Sequence, residues 1–266
     1  MSTPALSALD AIADELKQSD QILFALDYDG TLAPIAPQPE LAAFPSPARQ
    51  VVEWLSQLPG VHVAIVSGRA LEDVKARVAL PLIYAGNHGL ELEGPDFAYR
   101  HPQALERTPE LTEAILAINH DISGLAGVRL ENKGLTASVH FRNAAPEAAQ
   151  AVASILKRHR PSGFRLHAGK KVIELRPDVD WHKGAAVCWI MDNCFHHTRA
   201  FAMGDDLTDE DMYISLPEQI TVCVAEHRAT HARYRVNDVD EALELLRFCG
   251  GVIAAHRGAG QGQRPR

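Results

Sequence analysis

The chain repeatedly sets apolar runs of strand length ahead of stretches with helical periodicity. The runs are 22–26 (ILFAL), 61–66 (VHVAIV) and 82–85 (LIYA). Ser46 suits a helix N-cap and Pro47 a first helical position, and Val51, Val52, Leu55 and Leu58 then recur at helical spacing. After "IVSGR", Leu71, Val74 and Val78 mark another helix. An unbroken apolar run has no side to offer water, so these strands must be covered on both faces. That predicts a doubly wound α/β core around a parallel sheet.

From about residue 108 the pattern changes. Leu111, Ile115, Ile118 and Ile122 mark a helix. Leu135, Ala137, Val139 and Phe141 then alternate with Thr136, Ser138, His140 and Arg142. A second helix is expected over 146–159, then a hairpin over 164–177 turning at Ala168-Gly169, with Glu174 and Arg176 on one side and Ile173 and Leu175 on the other. Strict alternation predicts a half-buried, half-wet sheet with helices on its dry face. The expected domains are a discontinuous core, 1–107 and 178–266, and an inserted α+β unit at 108–177.

The βα pattern resumes with a helix after "DWHKGAA", strands at 200–203 and 220–224, and a final helix through Ala242–Leu246. The last stretch, "HRGAGQGQRPR", is Gly-rich and polar and is expected to be disordered. A net charge of −8 without a basic stripe argues against nucleic acid as a partner. The first twenty residues lack a signal-peptide pattern and carry an amphipathic helix at Leu9, Ile12 and Leu16. No apolar run is long enough to span a membrane. Four cysteines, two of them in apolar runs, fit reduced thiols in a cytoplasmic protein. "CWIMDNCFHH" misses the usual zinc spacings and suits a helix.

Ligands of an open parallel sheet bind beyond the carboxyl ends of its strands. Four polar clusters fall there: Asp27 and Asp29, Ser67, Asn87-His88, and "GDDLTDED" at 204–211. Lys183 opens a helix that can reach the same rim. Asp27 and Asp29, two residues apart on extended backbone, point to one side and repel unless a cation lies between them. With Asp205 they make a hard oxygen site of the kind Mg²⁺ occupies, leaving positions for a phosphate. Ser67 can donate to a phosphoryl oxygen and Lys183 can neutralise its charge. One carboxylate can act as nucleophile and its neighbour as acid and base. Tyr28, Gly30 and Thr31 complete a turn whose amides can cradle phosphoryl oxygens. Taken singly, each stretch is an ordinary cap, turn or solvated charge; their placement at one rim sets them apart.

"DYDGTL", "SGR" at 67–69, Lys183 and "GDDLTDED" resemble, in order, the four motifs of the haloacid dehalogenase superfamily. "AGNHGLELE", "LENKGLTASVHFRN", "GKKVIELRP" and "KGAAV" narrow the likeness to the trehalose-6-phosphate phosphatase family, over residues 20 to about 246. Tyr213 stands where that family more often has Phe. The resemblance implies Mg²⁺-dependent hydrolysis of trehalose 6-phosphate by a core that carries a cap. Asp27 would be the nucleophile and Asp29 the acid and base, with Ser67 and Lys183 holding the phosphoryl group. Asp205, Asp27 and the Asp29 backbone carbonyl would bind metal, with Asp206 and Asp209 orienting them. Glu131, Lys133, Glu174, His140 and Arg142 in the cap would grip the sugar, and Arg69, Asn87 and His88 would line the cleft. A monomer is expected, with association with a trehalose-phosphate synthase left open. Two alternatives stand: another capped sugar-phosphate phosphatase or phosphomutase, and a non-catalytic sugar-phosphate sensor.

Overall fold

A nine-stranded sheet carries the rim. In the computed structural model, which describes residues 2–35, 43–195 and 197–261, its order is Thr3–Pro4, Tyr234–Val236, Ile220–Val224, Thr198–Gly204, Gln21–Leu26, Val61–Val66, Ile83–Gly86, Glu91–Gly94 and Phe97–Arg100. The first seven run parallel and Glu91–Gly94 pairs antiparallel with Ile83–Gly86. Leu26 pairs with Met203 on one side and with Ile65 on the other. The chain order reverses between the strands Gln21–Leu26 and Thr198–Gly204, which is where an open α/β sheet leaves a crevice beyond its strand ends.

Ile22, Phe24 and Leu26 bury one face of the central strand in a cluster with Ile12, Leu16, Val52, Leu55, Leu245 and Leu246 from the helices Leu9–Lys17, Ser46–Ser56 and Val239–Gln261. Each such side chain stabilises the fold by about 1.5–3 kcal/mol relative to exposure. Lys183–Cys194 packs against the turn Asn87–Gly89 and the helix Glu210–Ser215. The final helix runs through the stretch expected to be disordered from His256 as far as Gln261. Arg257 there donates to the Asp20 carbonyl at 3.0 Å, a long-range tether that composition does not reveal. Residues 262–266 lie outside the described residues. Among the described residues no helix is long and apolar enough to cross a membrane.

Tyr99–Asp180 forms a compact unit of its own, flanked in sequence by the two parts of the first. The strand Phe97–Arg100 and the helix Pro102–Glu106 precede residue 108, where the sequence pattern changes. An antiparallel sheet in the order Arg129–Asn132, Ala137–His140, Val172–Pro177, Phe164–Gly169 packs Ala137, Val139 and Leu175 against Leu111, Ile118, Val152 and Leu156 of two helices. The hairpin turns at Lys170-Lys171, not Ala168-Gly169: Gly169 pairs with Val172, and Lys171 takes the left-handed φ of 65°.

Glu131, Ser138, Glu174 and His167 form one cross-strand row on the other face. This face is polar but not uniformly wet, because Thr136, Ser138 and Glu174 are buried. Glu174 is a hub. Its carboxylate accepts from Lys133 Nζ at 2.7 Å, Arg176 Nε at 2.5 Å, Ser138 Oγ at 3.2 Å and Thr136 Oγ1 at 3.3 Å. Glu174→Ala should therefore cost stability, on the order of 3–5 kcal/mol, because it strips two largely buried cations of their shared carboxylate. Chemical denaturation checks this, and a loss below about 1 kcal/mol, the range of an exposed pair, would contradict it.

Candidate functional site

Asp27 continues the central strand by one residue, and its amide donates to the Met203 carbonyl at 2.9 Å. This sets it beside Gly204 and Asp205 at the switch point. The Asp27 side chain is buried, with Oδ1 2.7 Å from Lys183 Nζ and Oδ2 3.4 Å from Thr31 Oγ1. Lys183, the first residue of its helix, is buried too and also donates to Asp209 Oδ1 at 2.7 Å. Burial disfavours the ammonium, but Asp209 and Asp27 outweigh it and hold Lys183 charged well above the usual lysine range.

Asp27, Asp205 and Asp209 are the group of metal-competent side chains found among the described residues, each offering an oxygen within 4.8 Å of the others. The three are not equivalent. Asp209 is already engaged, through Oδ1 by Lys183 and through Oδ2 by the Asp206 amide at 2.9 Å. The Asp206 side chain returns the bond by accepting from the Asp209 amide, which closes a capping box, and it also accepts from the Leu207 amide at 2.7 Å. Asp27 also has Oδ1 on Lys183, but its Oδ2 makes only the long 3.4 Å contact with Thr31, so that oxygen and the Asp205 carboxylate are the more available. A side chain at Gly30, whose φ is +83°, would run into the Asp205 carboxylate, so the glycine lets Asp205 approach the Asp27 turn. Three carboxylates against the single charge of Lys183 leave an excess of hard, negative oxygens that suits a hard divalent ion.

Burial raises the Asp27 carboxyl well above the usual range; Lys183 opposes this, and Asp209 and Asp205 reinforce it. Burial and the Asp209 charge push Asp205 up to about 7. Without metal the folded state therefore keeps protons that the unfolded chain, with aspartates near 3.9, releases. The sign follows. Stability from Asp205 is present below about pH 4 and is lost as pH rises through about 7, and the raised Asp27 carboxyl acts in the same direction. In chelator, the melting temperature should fall by several degrees from about pH 5 to pH 8, given about 2–4 °C per kcal/mol at this chain length. Asp205→Asn should flatten that slope; an unchanged slope would contradict the assignment.

Asp29 lies apart from this group. Its carboxylate pairs with Arg69 on both oxygens, Nε–Oδ2 at 2.6 Å and Nη2–Oδ1 at 2.7 Å. Arg69 also reaches Asp73 at 2.8 Å and sits over the Tyr28 ring, 5.3 Å from its centroid. The cleft residue expected from sequence thus holds the expected acid and base. Tyr28 is fully buried, and burial raises its hydroxyl above the usual range. Ser67 is buried with Oγ accepting from the Arg69 amide at 3.2 Å, and its own amide donates to the Ala85 carbonyl at 2.8 Å. Gly68 must lack a side chain because the His88 ring lies over it.

Asn87 and His88 adopt left-handed φ of 51° and 58°, and their amides donate to the carbonyls of Arg69 and Ser67 at 2.7 and 3.0 Å. Asn87 Nδ2 donates to Glu91 at 2.5 Å. The pair therefore clasps the Ser67–Arg69 turn. In the second unit, His140 Nε2 lies 2.7 Å from Glu131 Oε2. Burial would raise the Glu131 carboxyl, but His140 and Lys133 hold it below the usual range. Arg142 is exposed and donates weakly to the Lys170 carbonyl at 3.4 Å.

Two residues add what the motifs did not signal. Tyr213, the departure noted above, donates its buried hydroxyl to the carbonyls of Gly204 and Val222 at 2.8 and 3.0 Å, tying the end of the strand Thr198–Gly204 to the middle of Ile220–Val224. Arg228 donates to the backbone carbonyls of Asp205 and Asp206. A cavity of about 510 Å³ lined by Val61, His62, Ile83, Phe97 and Phe195 lies at the amino ends of the strands, away from the carboxylates.

The model of the family described as trehalose-phosphatase matches residues 25–240. Trehalose-phosphate phosphatase of Mycobacterium tuberculosis is 39% identical over 256 residues, covering 91% of this chain and 64% of the relative. That of Mycobacterium marinum is 36% identical over 232 residues, covering 82% and 59%. The chain thus spans less than two thirds of the length of these relatives. The C-terminal domain of trehalose-6-phosphate phosphatase from C. albicans shares the fold, with a TM-score of 0.79 at 24% identity over 94% of this chain and 98% of that one.

Proposed function

Because the chain belongs to the trehalose-phosphatase family, we propose that it hydrolyses trehalose 6-phosphate to trehalose and phosphate. The observation that carries this reading is the buried Asp27 carboxylate, 2.7 Å from a buried lysine and grouped with Asp205 at the sheet's switch point. Mg²⁺ held by Asp27, Asp205 and the Asp29 carbonyl would neutralise phosphoryl charge and orient the group.

An Asp27 oxygen attacks phosphorus, and the bond from phosphorus to the sugar's 6-oxygen breaks. Asp29 gives its proton to that oxygen, and trehalose leaves. Asp29, now ionised, takes a proton from water as the water oxygen attacks the aspartyl phosphate, freeing Asp27 and phosphate. The Arg69 fork holds both Asp29 oxygens and so fixes the side chain's orientation for both steps. Lys183 favours the ionised form of Asp27 against its burial and meets the charge developing on the phosphoryl oxygens, which Ser67 also binds. Tyr28 buttresses Arg69, and Asn87 and His88 hold the Ser67 turn.

In the cap, Glu131 and Lys133 offer the acceptors and donors that a second, unphosphorylated glucose requires, with His140 and Arg142 beside them. Phosphate release over a panel of sugar phosphates with Mg²⁺ tests the assignment. Trehalose 6-phosphate should exceed glucose 6-phosphate in kcat/KM by about 10²-fold or more, as expected where a site pairs hydroxyls. Glu131→Gln and Lys133→Ala should remove most of that advantage and spare hydrolysis of a small aryl phosphate. Faster turnover of a different sugar phosphate would reassign the substrate, and no turnover of any would favour a sensor.

A further inference from the structure

We propose that Arg228 is a positioning residue that fixes the Asp205–Asp206 loop and thereby sets the affinity of the rim for its divalent cation; this rests on the metal-dependent reading above. Residues 204–211 carry five acids, Asp205, Asp206, Asp209, Glu210 and Asp211, beside Asp27. Their mutual repulsion favours an open loop. Lys183 offsets it from inside, through Asp27 and Asp209.

Arg228 acts from the other side, out of the segment that follows the neighbouring strand Ile220–Val224. Its Nη1 donates to the Asp205 carbonyl and its Nη2 to the Asp206 carbonyl at 3.1 Å. Nη2 also pairs with Glu210 Oε1 at 2.7 Å. The second Glu210 oxygen accepts from the His231 amide at 2.8 Å, so both ends of the clamp are anchored. Arg228 thus grips the main chain of Asp205 and leaves its carboxylate to a cation. Only a planar fork spans two consecutive carbonyls and a carboxylate in this way; an ammonium does not. The pair is largely shielded, with side chains 23% and 13% exposed, so water competes poorly for these bonds.

Three variants test this: Arg228→Ala, Arg228→Lys and Glu210→Gln. The readouts are the half-saturating Mg²⁺ for phosphate release, KM for trehalose 6-phosphate at saturating Mg²⁺, and the Mg²⁺-induced rise in melting temperature without substrate. Arg228→Ala should raise half-saturating Mg²⁺ by about 10–100-fold, the usual cost of losing an outer-shell partner. The melting response should shift to higher Mg²⁺ in parallel, with KM unchanged. Arg228→Lys and Glu210→Gln should fall between, and they carry the test if the alanine variant does not fold. Variants that lower metal-free melting or kcat while matching wild type in both Mg²⁺ responses would overturn the proposal and leave the metal reading intact. A wild-type protein with no Mg²⁺ response in either readout would overturn both.

Discussion

Asp27→Asn should abolish turnover, by roughly 10⁵-fold or more, the scale on which removing a covalent nucleophile acts. The amide keeps the carboxylate's shape but forms no acyl phosphate at this position. Folding should not suffer. Burial, with Asp209 and Asp205, disfavours a charged Asp27 in the metal-free protein, so a neutral side chain whose amide oxygen can still accept from Lys183 should leave melting in chelator unchanged or raised. Asp29→Asn should cost about 10²–10⁴-fold, the usual contribution of a positioned acid and base. A variant at position 27 that keeps turnover within about 10²-fold of wild type would place the nucleophile elsewhere.

Lys183→Ala should be damaging on two counts. It removes the cation from between two buried carboxylates, each 2.7 Å away. Stranding such charges costs on the order of 3–5 kcal/mol, enough to lower the melting temperature markedly. It also removes a preorganised charge from the phosphoryl oxygens, worth about 10²–10³ in kcat. The two effects separate experimentally. Lys183→Met fills more of the vacated volume and should recover some stability without recovering kcat. Recovery of both would mean that Lys183 serves the fold alone. Mg²⁺ should restore part of the lost melting temperature by meeting the charge on Asp27.

The parallel core and the rim were legible because burial on both faces leaves a plain mark, an unbroken apolar run, and polar residues just past it have one place to go. Asp27, Ser67 and Asp205 are such residues. The pairings among them were not legible. Arg69 reaches Asp29 across 40 positions and Lys183 reaches Asp27 across 156, and no local pattern records a partner at that distance. Glu174 illustrates the opposite failure. Alternation assigned its face correctly, but a carboxylate on a polar face reads as solvated unless Lys133, Arg176, Ser138 and Thr136 are known to converge on it. The hairpin turn was misplaced because glycine is the usual left-handed residue, whereas here Lys171 adopts that conformation. Arg228 lies in a stretch with no hydrophobic periodicity, so its grip on the Asp205 loop needed the fold. Tyr213 differs from the usual Phe by one hydroxyl, and that hydroxyl has two carbonyl partners.

The most direct measurement is to quench the protein during turnover of trehalose 6-phosphate labelled in its phosphoryl group, then map the labelled peptide. The account predicts label on Asp27, sensitive to hydroxylamine as an acyl phosphate is, present in wild type and absent from Asp27→Asn. Label on Ser67 or a histidine, or rapid phosphate release with no label at any quench time, would contradict it.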